Sequence, residues 1–540
     1  MAFVSTQEST VITNRISGDY RVDVLLEAAA IRWNAPGALK SPVTVSYSFA
    51  ETVNYLTGDY ARGFLPFTEA QRSAARDTFA LISNQFNISF SEVKETNSTD
   101  TAFGQLRFSN NTQSVSAGYA VHPPENGVGT NINGDNFISS LPKYLTDYSI
   151  LSSQGVFNWS LMIHEILHSL GIKHPGNYNA GEPPSPEPGN FLIKTEDNNN
   201  NSIMSYIDNP QGLQRIDLGL YDMLAMSFLY GTKAFRPESN QYVFSNTTAN
   251  QDAATLAANL TNTAVLMPNT GRFLQLVNDT GGNNSFNFQS MSAGVIVNLG
   301  QGQSSSAGFL SDGTTAAINN IQIAFGTEIN TVFGSKFDDR LVGNSGANSI
   351  TGGLGNDTID GGSGIDTAVY SGTKSNYSLK FISPANISVT DISGTKKIDT
   401  LVNIERLKFS DTSLAIDVVG NAGITAKILG ASFGPASVAN KSYVGIGLSY
   451  LDAGMTYADL MQLAINARLG GVGSNTDVVN LLYTNVVGSA PDAATLAYYK
   501  SLLDNGNFTQ ATLGVLAADT SANTTNINLI GLAATGVEFV

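Results

Sequence analysis

A nine-residue repeat constrains the fold of this 540-residue chain more than any other feature of its sequence. Each copy begins with glycine, carries aspartate or asparagine at position six and carries an apolar residue at position eight. Four copies follow one another without gaps, at 334–342, 343–351, 352–360 and 361–369. The pattern is typical of a parallel β-roll, in which glycine-rich turns alternate with short strands that bury the apolar residue. A flexible glycine and asparagine linker is the alternative, but it would not keep position eight apolar.

The repeat also predicts calcium sites in its turns, because carboxylate and backbone oxygens are the ligands of a hard cation such as Ca²⁺. Successive turns lie on opposite sides of a roll, so we expect each ion between turns eighteen residues apart, with Asp339 facing Asp357 and Asn348 facing Asp366. Asn348 removes a charge and the first repeat departs from the pattern, so we expect fewer or weaker sites than in a longer array. The candidate ligands for these several structural calcium ions are Asp339, Asn348, Asp357, Asp366, Gly346, Gly352 and Gly361.

A second pattern, H-E-x-x-H-x-x-G-x-x-H, uses three of the four histidines in the chain. On a helix, His164 and His168 share one face and can direct their imidazoles at one metal ion. Gly171 permits a sharp turn that brings His174 round as the third ligand. Three neutral nitrogens leave a fourth position open, which is typical of a catalytic zinc, and Glu165 is the candidate general base.

The helix that carries this pattern is predicted from the apolar spacing over Trp159–Leu170, with Asn158 as its N-cap. The alternative is a helix that carries two histidines for structural reasons alone. That alternative does not account for the added glutamate, glycine and third histidine. We therefore predict one catalytic zinc ion.

The stretch SIMSY at 202–206 resembles the Met-turn of metzincin peptidases, in which a methionine lies beneath the metal-binding histidines. Met204 alone would be interpreted as a core residue. Tyr206 matches the position at which serralysins and astacins carry a tyrosine beside the zinc. By that resemblance its hydroxyl would hydrogen-bond the oxyanion of the tetrahedral intermediate, the alternative being a buried tyrosine with its hydroxyl satisfied elsewhere.

Composition excludes several classes of protein. The net charge of −16 and the isoelectric point near 4.6 argue against nucleic acid or an anionic membrane as a partner. Cysteine is absent, which excludes disulfides and a thiolate zinc site. No stretch approaches the ~18 consecutive apolar residues of a membrane span. The first residues show neither the basic nor the apolar region of a Sec signal, so we expect a protein that is either cytoplasmic or exported by another route.

The order of these patterns predicts three domains. Residues 1–232 are predicted to form an α+β catalytic domain, with a strand at Val43–Phe49 and an edge strand within 117–121. By the resemblance to metzincin peptidases, this edge strand would bind extended substrate by β-augmentation. Residues 233–419 are predicted to form the all-β calcium-binding roll with flanking strands. Residues 420–540 are predicted to be α-helical. The clearest helical segments of this last region are Tyr457–Leu469, Asp477–Val487, Asp492–Leu503 and Gln510–Ala517.

The zinc pattern, the Met-turn and the repeats, in that order, resemble the serralysin family of secreted bacterial metalloproteases over about Asp23–Asp417. The run HPGNYNAGE at 174–182 and the segment 221–231 are similar to further family motifs. The resemblance implies a secreted zinc endopeptidase of the metzincin clan that cleaves polypeptides, with a calcium site between the protease and the roll. The matching positions are Arg236, Glu238, Asn240, Asp279, Gly281 and Asn284. The family usually has aspartate where this chain has Asn284 and glycine where it has Glu238.

The last five residues, Gly536–Val540, place one acid before apolar residues and resemble an uncleaved signal read by type I secretion machinery. Calcium outside the cell would then couple export to folding. The region after Val419 resembles a small helical domain appended to bacterial surface and S-layer-associated proteins, so a cell-surface or S-layer protein is a candidate partner. The alternative function is a surface-attached calcium-binding protein whose protease fold processes itself or a neighbouring surface protein.

Overall fold

The structure is a computed structural model, and it describes residues 10–27, 29–53, 55–95, 103–125, 129–150, 152–180, 189–246, 264–267, 271–383, 385–394 and 397–540. Two compact units divide the chain, Met1–Ile329 and Asn330–Val540. This boundary falls inside the segment 233–419 that the sequence predicts as one domain, and the three-domain division stays a prediction. Within the described ranges, no helix combines the length and the apolar character needed to cross a membrane.

A five-stranded mixed sheet begins the first unit, in the order β2-β1-β3-β5-β4. Its strands are β1 (Val43–Phe49), β2 (Ile88–Glu92), β3 (Leu106–Asn111), β4 (Gly118–Ala120) and β5 (Asn136–Ser139). All of these strands are parallel except β4, which runs antiparallel to β5 at the edge. The predicted strand at 43–49 and the predicted edge strand within 117–121 are confirmed.

Four helices pack with this sheet around one apolar core. They are α1 (Tyr20–Asp23), α2 (Glu69–Ser83), α3 (Ser153–Ser169) and α4 (Leu220–Tyr230). Helix α3 is longer than predicted and begins after Ser152, whose side chain accepts a hydrogen bond from the N–H of Gly155. The prediction of Asn158 as N-cap is wrong, because its side-chain amide lies inside the helix and donates to the carbonyl oxygens of Lys143 and Asp147 at 2.8 and 2.7 Å.

Short strands follow in the described part of the first unit. They are β6 (Gln214–Arg215), β7 (Gln241–Ser245), β8 (Ala264–Leu266), β9 (Phe273–Val277), β10 (Asn284–Ser290), β11 (Ile296–Asn298), β12 (Ser304–Ser305) and β13 (Ile321–Ile323). Strand β7 pairs in parallel with β8 and β10, and β9 pairs in parallel with β6 and β13.

Strand β14 (Ile329–Phe333) directly precedes the repeats, and the four repeats form the strands β15 (Arg340–Val342), β16 (Ser349–Thr351), β17 (Thr358–Asp360) and β18 (Thr367–Val369). Alternate repeats join two parallel sheets, one with the order β14-β16-β18 and one with β15-β17. The apolar residue at position eight is buried in every repeat, as the pattern predicts. We call these strands, together with β21 and β22, the repeat ladder.

Further strands follow the repeats: β19 (Tyr377–Ser383), β20 (Asn386–Asp391), β21 (Ile398–Val402), β22 (Arg406–Lys408) and β23 (Ser413–Ala415). Strands β19 and β20 form an antiparallel hairpin. Strands β21 and β22 return to the two sheets of the ladder, where they pair in parallel with β17 and β18.

Helices make up the C-terminal region, as the sequence predicts. They are α5 (Asn421–Phe433), α6 (Lys441–Asp452), α7 (Tyr457–Leu469), α8 (Asn475–Val487), α9 (Ala493–Asp504), α10 (Gln510–Ala518), α11 (Ser521–Asn526) and α12 (Leu529–Thr535). Strand β24 (Val537–Phe539) pairs antiparallel with β23, and Glu538 in it forms ion pairs with Lys374 and Lys441 at 2.5 and 2.8 Å. The export signal predicted at 536–540 is therefore ordered in the folded unit, and its function stays a prediction.

Candidate metal centre

The second half of α3 and the turn after it bring three histidines together. His164 and His168 lie one helical turn apart on α3, and both are buried. After the helix ends, Gly171 adopts a φ of +102°, a left-handed conformation that most residues avoid. A Cβ atom there would lie 2.0 Å from the carbonyl oxygen of Ile31, so the position has no room for a side chain. The turn therefore requires glycine, and it returns the chain so that His174 lies against both helical histidines.

The Nε2 atoms of the three histidines converge on one point. Nε2 of His174 lies 3.1 Å from that of His164 and 3.0 Å from that of His168. Each Nδ1 atom faces an oxygen that can only accept a hydrogen bond. Nδ1 of His164 lies 2.9 Å from the carbonyl oxygen of Ile203, and Nδ1 of His168 lies 2.7 Å from that of Ile172. Nδ1 of His174 lies 2.9 Å from Oδ1 of Asn179. Each Nδ1 therefore carries the hydrogen, and three Nε2 lone pairs point at one another. A cation bound between the three Nε2 atoms would remove the repulsion between their lone pairs, and three imidazole nitrogens are ligands that suit zinc.

Glu165 lies beside the first histidine and is buried. Burial raises its pKa to about 8, and its Oε2 makes no hydrogen bond with any residue in the described ranges. Strand β4 packs against it so closely that a Cβ on Gly118 would lie 2.8 Å from Oε1. A carboxyl group with an unpaired oxygen, held beside a cation site, is suited to exchanging a proton with water.

The stretch predicted as a Met-turn adjoins the histidines through Ile203, and Met204 is fully buried in the core of the first unit. Asp222 of α4 anchors this turn, because it accepts hydrogen bonds from Oγ of Ser202 at 2.5 Å and from the N–H of Ile203 at 2.7 Å. The carbonyl oxygen of Ile203 in turn orients His164. Asp222 therefore supports the first histidine through one intermediate residue, a role that no sequence spacing indicated.

Tyr206 lies beside the histidines, with ring centroids 4.3 Å from His174 and 5.9 Å from His164. Its ring also stacks on Tyr178 at 4.9 Å. The hydroxyl of Tyr178 accepts the backbone N–H of Tyr206 at 3.1 Å and donates to Oδ1 of Asp197 at 2.8 Å. A buried tyrosine and aspartate thus hold the backbone of Tyr206, and neither was singled out from the sequence.

The fourth histidine also lies in this region. His122 follows β4, its ring centroid lies 5.6 Å from that of His168, and its Nδ1 lies 4.0 Å from Oε1 of Glu27. It does not belong to the group of ligand atoms, all within 4.8 Å of one another, that His164, His168 and His174 form in the described part of the chain. In the run 174–182, Asn179 binds a histidine, whereas Gly181 and Glu182 lie outside the described residues.

A cavity of about 270 Å³ opens beside Glu165. Its wall includes Gly118, Leu161 and Ile203, and the ring of Tyr206 borders it. Arg215 also lines it, but its guanidinium already donates hydrogen bonds to other residues of the protein. The acceptors of that guanidinium are the carbonyl oxygens of Asn199 and Asn200, Oε1 of Gln322 and Oδ1 of Asp217. The cavity therefore offers mainly apolar walls next to the candidate base.

The edge strand β4 presents free backbone groups to this cleft. The carbonyl oxygen of Ala117 accepts from Ser139, and the N–H of Val121 donates to Asp135, both at 2.8 to 2.9 Å. Because hydrogen bonding alternates along an antiparallel strand, Tyr119 pairs with Phe137 of β5, whereas Gly118 and Ala120 direct their N–H and C=O groups away from β5. Gly118 is one of these, next to Glu165. An extended peptide fits this edge as an additional strand.

The turns of the repeat ladder bring the predicted calcium ligands together in pairs eighteen residues apart. The N–H of Asp339 donates to Oδ1 of Asp357 at 3.0 Å, and the N–H of Asn348 donates to Oδ1 of Asp366 at 2.7 Å. Burial raises the pKa of Asp357 and of Asp366 to about 7. Oδ2 of each is buried and has no hydrogen-bond partner in the described ranges. A hard cation fits these oxygens.

The glycines of the ladder turns lie beside these carboxylates. A Cβ on Gly352 would lie 2.2 Å from Oδ2 of Asp357, and one on Gly361 would lie 2.7 Å from Oδ2 of Asp366. Gly346 is exposed, and its N–H donates to Oδ1 of Asn344 at 2.8 Å. Two of the three predicted glycines therefore line the carboxylate sites, and Gly346 lies in the turn beside them.

The six residues predicted from the family's other calcium site also lie close together, but their donor set fits a cation poorly. The side-chain amide of Asn240 donates to the carbonyl oxygen of Glu238 at 2.7 Å, and that of Asn284 donates to the carbonyl oxygen of Gly281 at 2.9 Å. Asp279 supplies a carboxylate, and hydrogen bonds reach both of its oxygens. The remaining residue, Arg236, adds a positive charge near Asp279. Both side-chain amides thus already donate to carbonyl oxygens of this group, and the calcium site stays a prediction.

Comparisons with known proteins agree with these observations. Residues 333–368 match the RTX calcium-binding nonapeptide repeat in four copies. The chain is 29% identical over 336 residues to a serralysin of Proteus mirabilis, which covers 59% of this chain and 63% of the relative. It is 28% identical over 344 residues to a serralysin of Photorhabdus laumondii, a match that covers 62% of this chain and 64% of the relative. It is 26% identical over 342 residues to metallopeptidase AprA of Pseudomonas marginalis, which covers 61% of this chain and 65% of the relative.

The matched region spans less than two thirds of the length of each of these relatives. The resemblance to serralysin-like metalloproteases with RTX repeats, predicted from the motifs, is confirmed. The helical region after Val419 lies outside the part of the sequence that carries this resemblance.

Proposed function

We propose that the protein is a zinc-dependent endopeptidase that hydrolyses extended polypeptides. The observation that carries this proposal is the convergence of three Nε2 atoms whose Nδ1 atoms all bind acceptor oxygens, with the unpaired carboxyl oxygen of Glu165 beside them. The similarity to serralysins and to a metallopeptidase supports the same reaction class.

Substrate binding is supported by the open edge of β4. A peptide in extended conformation pairs with the outward N–H and C=O groups of Gly118 and Ala120, which aligns its scissile bond with Glu165. The apolar cavity beside Glu165 accepts the side chain that follows the scissile bond. Leu161 and Ile203 in its wall favour an aliphatic or aromatic side chain at that position.

The chemistry follows from the residues around the histidines. The three Nε2 atoms would hold a zinc ion, which would supply Lewis-acid chemistry by lowering the pKa of a water molecule and polarising the peptide carbonyl group. Glu165 accepts the proton of the attacking water and delivers it to the amide nitrogen of the leaving group. Tyr206 donates a hydrogen bond from its hydroxyl to the oxyanion that forms at the former carbonyl oxygen. Asp222 and Asn179 keep the imidazole rings of His164 and His174 in orientation.

The substitution Glu165→Ala tests this function. We expect it to abolish cleavage of casein and of a peptide library while one zinc per chain remains bound, as measured by elemental analysis. Glu196→Ala is a matched control, since it removes a carboxylate from the same unit at a site away from the histidines. Undiminished cleavage by Glu165→Ala would show that the proposed mechanism is wrong. Mass spectrometry of the protein with and without Glu165 separates self-processing from cleavage of other polypeptides.

Export by type I secretion machinery and an extracellular location are part of this proposal. The RTX repeats and the similarity to serralysins support them. Expression with and without a type I exporter, followed by assay of the medium, tests this part. The cell-surface or S-layer partner of the helical region stays a prediction.

A further inference from the structure

The cavity beside Glu165 has an acidic residue in its wall that the proposed reaction does not use. Asp208 lines this cavity of about 270 Å³ and comes two residues after Tyr206. Its side chain is exposed, so it marks the part of the wall that borders solvent. No sequence pattern indicated a function for this residue.

The carboxylate of Asp208 is held in a fixed orientation. Nε2 of Gln214 donates to its Oδ1 at 3.0 Å, and Nδ2 of Asn199 donates to the same oxygen at 3.4 Å. Gln214 belongs to β6, and the hydroxyl of Ser160 in α3 donates to the carbonyl oxygen of the next residue, Arg215. The carboxylate is therefore fixed relative to α3, the helix that carries the candidate base.

The second carboxylate oxygen of Asp208 is available to a ligand. Within the described ranges, no hydrogen bond reaches Oδ2 of Asp208, and no basic side chain forms an ion pair with this residue. Arg215 also lines the cavity, but it forms an ion pair with Asp217 at 3.2 Å. Asp208 can therefore accept a hydrogen bond from a positively charged group of a bound peptide.

The apolar part of the cavity wall suits the stem of a long side chain. Ala117, Leu161 and Ile203 contribute to this part. Lysine and arginine lay their methylene groups along apolar surface and keep their charged ends at the solvent boundary. An aliphatic stem with a cationic end therefore matches both the apolar wall and the exposed carboxylate.

We propose that Asp208 makes this cavity selective for lysine or arginine at the residue that follows the scissile bond. The inference rests on the proposed function, which places that side chain in the cavity. The apolar wall contacts the methylene groups, and Asp208 binds the ammonium or guanidinium group. The preferred substrates are therefore polypeptides with a basic residue directly after the cleaved bond.

Three peptides of one sequence test this selectivity on the full chain, with lysine, glutamine or glutamate after the scissile bond. We expect the wild type to cleave the lysine peptide with the highest kcat/KM and the glutamate peptide with the lowest. In Asp208→Asn, the ratio of kcat/KM between the lysine and glutamine peptides should fall about 5-fold, the upper range for an exposed ion pair. Asparagine keeps Oδ1, so the contacts with Gln214 and Asn199 are retained.

Charge reversal and salt separate a binding role from a structural one. Asp208→Lys should cleave the glutamate peptide faster than the lysine peptide. In the wild type, the preference for lysine over glutamine should shrink at about 1 M NaCl, because salt screens exposed charges. The matched control is Glu69→Gln, which removes an exposed carboxylate from the first turn of α2 and should keep the wild-type ratios. An unchanged ratio in Asp208→Asn, or an equal change in the control, would overturn the proposal.

Peptide binding distinguishes failure of this inference from failure of the proposed function. Fluorescence anisotropy of labelled peptides with the Glu165→Ala chain requires no cleavage. The lysine peptide should bind about 5-fold more tightly than the glutamine peptide, and adding Asp208→Asn should remove that difference. Equal binding of the two peptides would overturn the selectivity even in an active endopeptidase. If the wild type cleaves no peptide while the difference in binding persists, the proposed function is wrong and the cation-binding site stands.

Discussion

At the residue scale, Tyr178 is expected to act through Tyr206. Tyr178→Phe removes the oxygen that accepts the backbone N–H of Tyr206 at 3.1 Å and breaks the link to Asp197. The hydroxyl of Tyr206 is then held less firmly over the site of the oxyanion. We expect kcat for a fluorogenic peptide to fall about 10-fold, with KM changed less than about 2-fold, because small misplacements of a group that acts in the transition state lower kcat.

A double-mutant cycle with Tyr206→Phe checks this route of action. In the Tyr206→Phe background, adding Tyr178→Phe should have little further effect on kcat. Tyr148→Phe is the matched control, since it also removes a buried tyrosine hydroxyl. That hydroxyl donates to the carbonyl oxygen of Tyr144 at 2.9 Å. The control should lower the melting temperature and leave kcat unchanged. Full additivity of Tyr178→Phe and Tyr206→Phe would contradict the positioning role.

The histidine site could be predicted from sequence because its geometry is local. Helical periodicity places His164 and His168 on one face, and one glycine turn returns the chain at His174. The supporting residues could not be predicted in the same way. Asp222 reaches Ile203 across 19 residues of chain, and that contact depends on how α4 packs against an irregular turn. The spacing of apolar and polar residues along the sequence gives no sign of such a contact.

At the scale of elements, the fit of β4 against α3 is expected to limit activity. Gly118→Ala would place a methyl group 2.8 Å from Oε1 of Glu165, so either the strand or the carboxylate must move. We expect kcat/KM to fall about 100-fold with zinc content unchanged, since catalysis is sensitive to shifts of ~1 Å. Gly394→Ala is the matched control, because a Cβ there meets no atom within 4 Å. Wild-type activity in Gly118→Ala would show that β4 does not constrain the base.

The repeat ladder is expected to have an unusual pH dependence when calcium is removed. Burial raises the pKa of Asp357 and of Asp366 to about 7, from an ordinary value of 3.8. The folded ladder therefore keeps protons that the unfolded chain releases between about pH 4 and pH 7. By linkage, these two groups stabilise the fold more as pH falls through 7 towards 4, and this contribution is lost as pH rises above 7.

Unfolding of the wild type and of Asp357→Asn with Asp366→Asn in EDTA, at pH 5 and at pH 8, measures this effect. Since other carboxylates also titrate, the difference between the two proteins is the relevant quantity. The variant should be more stable than the wild type at pH 8 and nearly equal to it at pH 5. The variant Asp391→Asn with Asp411→Asn should show no such change with pH. A difference between wild type and variant that is the same at both pH values would contradict the expected protonation.

Which elements could be predicted depended on how local their signals are. The strand at 43–49 and the helix at 457–469 have the predicted bounds, because their apolar periodicity is regular. Helix α5 was not predicted, since glycines interrupt its sequence. Both glycines are buried in close contacts: a Cβ on Gly423 would lie 1.9 Å from the carbonyl oxygen of Val418, just before the helix, and one on Gly430 would meet Asn523 of α11 at 2.5 Å. Close packing therefore outweighed the low intrinsic helix propensity of glycine in α5.

At the scale of the whole molecule, the two compact units are expected to depend on different metals. The histidine group belongs to Met1–Ile329, and the repeat ladder belongs to Asn330–Val540. In the other candidate calcium site, in the first unit, the side-chain amides of Asn240 and Asn284 donate to carbonyl oxygens of the same group. Calcium should therefore stabilise the second unit, and zinc the first.

Hydrogen exchange measured by mass spectrometry on the full chain resolves the two units in one sample. Adding calcium should slow exchange in peptides from 330–415 and leave peptides that cover 236–240 and 279–284 unchanged. Zinc removal should instead speed exchange around 164–174. The variant Asn284→Asp replaces an amide donor with a carboxylate and should make 279–284 respond to calcium. The variant differs from the wild type only in that a carboxylate oxygen stands where the amide nitrogen of Asn284 was. Calcium protection of 279–284 in the variant alone would therefore show that the amide of Asn284 prevents calcium binding in the wild type. Calcium protection of 279–284 in the wild type would instead restore the calcium site that the family resemblance implies.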